Sequence, residues 1–151
     1  MPILSRWDEL TDTDWESLVH AWLEAESNVS DGAQHPDEDS VGVYVTFMNF
    51  TARPELVWRF IERAVALVDS DDGMGRIAAG PLEHLLGWHG EAFIARVEER
   101  AMRDPKFARI LTGVWRYLMS ESIWARVRAL QARVSDPLPA CIPFETSDGD
   151  G

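Results

Sequence analysis

The chain has 151 residues, 46% of them hydrophobic, with seven tryptophans, 26 acidic and 14 basic side chains and a formal net charge of −12. That composition excludes a disordered chain, and a single cysteine, Cys141, excludes an intrachain disulfide. Direct binding to a nucleic-acid backbone is disfavoured because phosphate contacts need clustered lysine and arginine, and no segment approaches the roughly 20 apolar residues of a membrane span.

This length suits one helical domain over residues 1–136, followed by a proline-rich acidic tail at 137–151. Residues 1–10 lead in, with Ile3, Leu4 and Trp7 packing on the body. Thr13 and Glu16 have the spacing of a capping box and open a helix whose Trp15, Leu18, Val19, Trp22 and Leu23 share one face, ending near Glu26. Residues 27–40 read as a polar loop in which Asp37, Glu38 and Asp39 start the next helix.

Residues 41–50 are ambiguous, since Val41, Val43, Val45 and Phe47 alternate as in a strand. Tyr44, Val45 and Met48 also fit a helical face, and a solitary strand would leave its backbone groups unpaired, so the expectation is helix. Pro54 opens a helix with Val57, Phe60, Ile61, Ala64 and Leu67 inward, closed by a loop at Asp69, Ser70, Asp71, Asp72 and Gly73.

The densest helix signals lie in residues 80–130. Pro81 marks a start and Gly90 a break; Phe93, Ile94, Val97 and Ala101 then recur at helical spacing through Arg103. Asp104 and Pro105 cap a helix with the stripe Phe107, Ile110, Leu111, Val114 and Leu118. Ser120 caps a last helix with Ile123, Val127 and Leu130 inward. The expected fold is therefore all-α, with six or seven helices either in stacked antiparallel hairpins, a solenoid-like array hinted at by Phe60-Ile61 and Phe93-Ile94, or in a compact bundle.

Several blocks carry a resemblance: Gly80-Pro81-Leu82-Glu83 with Leu85-Leu86, His89-Gly90-Glu91 with Phe93-Ile94, Asp104-Pro105 with Phe107, Gly113-Val114-Trp115-Arg116, and Met119-Ser120 with Trp124-Ala125-Arg126-Val127. Together they resemble a small bacterial domain family of unknown function. The resemblance implies a helical bacterial cytoplasmic domain and carries over no catalytic residue.

No pattern for catalysis, a cofactor or a metal is found. His84 and His89 are five apart on one helix, roughly 140° around its axis, and do not converge on one ion. Cys141 sits among prolines, away from any nucleophile pattern. Glu83 and Glu91 are each explained by a first helical turn, and Asp69, Asp71 and Asp72 lack the spacing of a calcium loop. The expectation is thus a protein without enzymatic activity or cofactor.

Charge is unevenly spread. Residues 1–79 hold 16 acids and 5 bases, net −11, whereas residues 80–136 hold 7 acids and 9 bases, net +2. An acidic half favours a basic protein partner, because complementary fields raise the encounter rate. Asp37, Glu38, Asp39, Asp69, Asp71 and Asp72 are the candidate contacts, with Trp58 and Trp88 as candidate anchors off the apolar stripes. The most concrete expectation is an immunity or inhibitor protein for a basic toxin such as a nuclease. A general adaptor or scaffold, or an acidic mimic of nucleic acid that blocks a DNA-binding protein, are the alternatives.

Overall fold

The computed structural model describes residues 4–29 and 41–139, and all its regular structure is helical. A 3₁₀ turn, Leu4–Glu9, leads into α1 (Asp12–Val29), α2 (Val41–Thr51), α3 (Pro54–Leu67) and α4 (Asp71–Ile77). A π turn, Ala78–Leu82, joins α4 to α5 (Glu83–Arg103), followed by α6 (Pro105–Leu111) and α7 (Glu121–Gln131). The segment 30–40 and the residues beyond 139, with Cys141, lie outside the described residues.

Local chemistry explains most of the starts. The α1 capping box is made by Thr11 and Asp14 rather than Thr13 and Glu16: the Thr11 hydroxyl accepts from the Asp14 N–H at 3.1 Å while the Asp14 carboxylate accepts from the Thr11 N–H at 2.9 Å. Aspartate fills the reciprocal position, and the box sits two residues earlier. Pro54 and Pro105 occupy the first turns of α3 and α6, where a missing N–H costs nothing. The Asp104 carboxylate accepts from the Lys106 and Phe107 N–H groups, and the Ser120 hydroxyl accepts from Ile123.

Four expectations are corrected. Asp71 and Asp72 are not in a loop but in the first turn of α4, because the Ser70 hydroxyl caps the Gly73 N–H at 3.0 Å. Pro81 does not start a helix: it lies within one continuous helical run from α4 to α5, where the wider π turn receives a residue with no N–H to donate. The α6 stripe stops at Leu111, so Val114 is buried from an irregular segment and Leu118 points outward with φ of 60°. The break expected at Gly90 is a kink at His89 (φ −135°, ψ 28°), with Gly90 buried just after it. A side chain there would put its Cβ 3.1 Å from Ile123 Cγ2, so glycine lets α5 and α7 approach closely.

One core unites these helices. α3 is central, burying Leu56, Val57, Trp58, Phe60, Ile61, Ala64 and Val65 and packing against α1, α2, α4 and α5. Phe60 meets Trp22 edge-on at 5.4 Å, while Trp58 meets Phe107 at 5.9 Å, so aromatic contacts link the first helices to the last. Contacts of α1 with α4 and of α4 with α6 close the structure into a bundle rather than a stacked array. Ion pairs between elements surround the core: Arg53 with Asp8, Arg63 with Asp12, Arg96 with Glu55 and Arg126 with Glu98.

Candidate interaction surface

Between α6 and α7 the chain crosses residues 112–120 without regular structure, yet it is firmly held. Val114 and Met119 are buried, and between them Trp115, Arg116, Tyr117 and Leu118 are exposed. Gln131 Nε2 donates to the carbonyls of Leu111 and Val114 at 2.9 and 3.0 Å, and Arg116 Nε donates to the Met119 carbonyl. On the other side, the Glu83 carboxylate accepts from the Trp115 N–H at 2.9 Å. One turn on, a Cβ at Gly87 would come within 2.5 Å of the Tyr117 carbonyl oxygen, so only glycine lets the loop lie directly on α5.

A ladder of rings extends from this loop. Tyr117 stands 5.4 Å from the His84 ring, and His84 meets Phe50 of α2 edge-on at 4.6 Å. Phe50, Trp115, Leu118 and Trp88 each expose more than half of their surface. Both titratable groups at its base are perturbed by burial. Glu83 is pushed above the usual carboxylate range by burial, against the opposing pull of the Trp115 N–H. His84 is pushed below its ordinary value by burial, and its Nδ1 is enclosed without a hydrogen-bond partner.

Beside the loop, a groove of ≈ 640 Å³ runs between α4 and α7. Asp71, Asp72 and Arg76 line one wall, Trp124 and Arg128 the other, and Trp115 stands between. Arg109 grips Asp71 at 2.7 Å, which holds the Asp71 carboxyl below its usual range. The Arg128 guanidinium lies over the Trp124 ring at 5.7 Å. Asp69 and Asp72 line a smaller cavity of ≈ 300 Å³ with His20 and Glu24.

The expected contact residues are therefore scattered. Asp37, Glu38 and Asp39 lie outside the described residues. Trp58 is corrected to the core: it is 7% exposed between Phe93 and Phe107, because Trp58 shares the inner face of a helix buried on several sides. Trp88, Asp69 and Asp72 are at the surface, and Asp71 is spent on Arg109. The described residues carry 19 acids and 14 bases, so most of the surplus of −12 belongs to the segments outside them. Among the described residues, no three His, Cys, Asp or Glu side chains gather to hold a metal, and no helix is long and apolar enough to cross a membrane.

The 112–120 loop and all of the groove but Leu138 and Pro139 fall within a match to the model of DUF6869, a family of unknown function, over residues 31–135. The chain belongs to that family. No curated protein and no solved structure matches it. As a member of DUF6869 the chain presents an exposed aromatic loop, a ring ladder and a groove. The sequence reading missed the loop by continuing the α6 stripe through it. Gly113, two residues past Leu111, was the available stop signal.

Proposed function

We propose that this domain is a non-catalytic protein-binding module, most concretely an immunity or inhibitor protein that covers a basic toxin such as a nuclease. One observation supports it above the others: three large apolar side chains, Trp115, Tyr117 and Leu118, are exposed on a backbone that Glu83, Gly87 and Gln131 hold in one shape. In the free protein, a leucine at φ 60° costs stability and buries little. In a complex, an anchor already fixed loses little conformational freedom, and aromatic anchors dominate binding energies. The acidic surplus favours a basic partner, and α1 adds five acids with no base.

The test is affinity capture from the native cell with the parent chain and with a Tyr117→Ala/Leu118→Ala variant. Both side chains are exposed, so the variant should melt near the parent temperature. The expected result is a basic protein retained by the parent, lost by the variant, and inhibited by one equivalent of the domain. Capture indifferent to both substitutions, or a partner that is acidic, would count against the reading.

A further inference from the structure

Almost every polar or aromatic group lining the groove between α4 and α7 already has a partner. Asp71 is gripped by Arg109, and Arg128 lies over Trp124. Gln131 is bound to two carbonyls, the Thr112 hydroxyl accepts from the Leu138 N–H at 2.9 Å, and Arg76 is also engaged. Two groups remain. The Trp115 ring has no ring or cation contact among the described residues, and the exposed Asp72 carboxylate has no ion pair or hydrogen bond there. Both line the same ≈ 640 Å³ cavity, together with the apolar Ala79, Gly113, Val114 and Leu138.

A bare indole face and an unpaired carboxylate have one common complement. It is a cation with a flat, weakly hydrated face: the arginine guanidinium stacks on aromatic rings and pairs with carboxylates, whereas lysine is a compact, strongly hydrated charge. The opposite wall already makes half of this arrangement with the chain's own Arg128 on Trp124. The groove's own cations are engaged, Arg76 within the chain and Arg128 over Trp124, and an apolar ligand would leave Asp72 desolvated without a partner.

We propose that this groove is the binding site for an arginine side chain of the protein partner, with Trp115 as its platform and Asp72 as its counter-ion. The assignment rests on the protein-binding reading above and names the residue type that reading requires. A partner contributing such an arginine carries it on a segment narrow enough to enter between α4 and α7.

The test uses the full chain and a seven-residue probe, acetyl-Pro-Leu-Ala-Arg-Ala-Leu-Pro-amide, beside the same peptide with neutral citrulline for arginine. The readout is the Trp115 indole N–H resonance, assigned with Trp115→Phe. The arginine peptide should shift it saturably, and citrulline or Asp72→Asn should each weaken the binding about fivefold. Trp115→Leu, followed through the indole N–H of Trp124 in the same groove, should abolish binding, whereas Glu16→Gln, on α1 and outside the groove, should leave it within twofold. No saturable shift, or equal binding by both peptides, would overturn the site. The two readings fail separately: a captured basic partner indifferent to Trp115→Leu and Asp72→Asn leaves the binding function and removes this groove, and peptide binding without any captured basic protein does the reverse.

Discussion

Glu83 holds Trp115 across 32 residues, its carboxylate accepting the tryptophan N–H at 2.9 Å from a half-buried position. Burial raises its pKa, so the fold favours the protonated form. The associated penalty is absent below the ordinary carboxylate value of about 4.3, grows as pH rises through the folded pKa, and is constant beyond it. Glu83→Gln removes the charge and keeps an acceptor oxygen. It should match or exceed the parent in urea denaturation at pH 7 and converge with it below about pH 4. Glu83→Ala removes the acceptor too, and should cost about 0.5–1.5 kcal/mol while speeding exchange of the Trp115 amide. Equal losses in both variants would mean that the charge itself is required.

His84 gives the opposite sign. Burial lowers its pKa, so the unfolded chain takes up a proton first as pH falls through about 6.5. Its contribution is intact above that value and declines until the folded pKa is passed. His84→Phe keeps a ring between Phe50 and Tyr117 and removes a buried nitrogen with no partner. That variant should be at least as stable as the parent at pH 7, and its stability should fall less between about pH 7.5 and 5.5. A parent and variant with parallel pH profiles would show that the histidine titrates freely.

The fold was more legible in the sequence than the surface was. Caps at Asp104 and Ser120 and prolines 54 and 105 are local signals, and the chain obeys them. The helical choice for residues 41–50 also followed, from a helical face at Tyr44, Val45 and Met48 and from the need to pair the backbone. The π turn at Pro81 and the first turn of α4 at Asp71 escaped because each local pattern also reads as an ordinary start or loop. Tertiary contact decides between them. The groove was illegible for a different reason: the pairing of Asp71 with Arg109 and the exposure of Trp115 join residues far apart in the chain, and no periodicity records them.

Two glycines separate the loop's support from simple helix propensity. Gly75, inside α4, has nothing within 4 Å of where a Cβ would lie. Gly75→Ala should therefore stabilise by about 0.4–1 kcal/mol. Gly87→Ala meets the Tyr117 carbonyl at 2.5 Å, and neither backbone can yield without moving the loop. It should cost about 1–3 kcal/mol and shift the Trp115 and Tyr117 resonances, with both changes read by thermal melts and by NMR. A harmless Gly87→Ala would mean that the loop rides higher on α5 than this packing allows.

Leu118 sets stability against binding most directly. Its φ of 60° costs a leucine roughly 1–2 kcal/mol, and its side chain is 58% exposed, so the free protein recovers little from it. Leu118→Gly relieves that strain but gives the unfolded chain more freedom, a loss of roughly 0.5–1 kcal/mol. The variant should thus be unchanged or more stable by up to about 1 kcal/mol in urea denaturation. Asparagine, which tolerates the same backbone region, should behave alike with a smaller entropic loss. If leucine is kept for a partner, both variants should release that partner faster while melting no lower than the parent. A variant that melts well below the parent would place Leu118 among the groups that hold the fold, and retention of full binding would remove it from the interface.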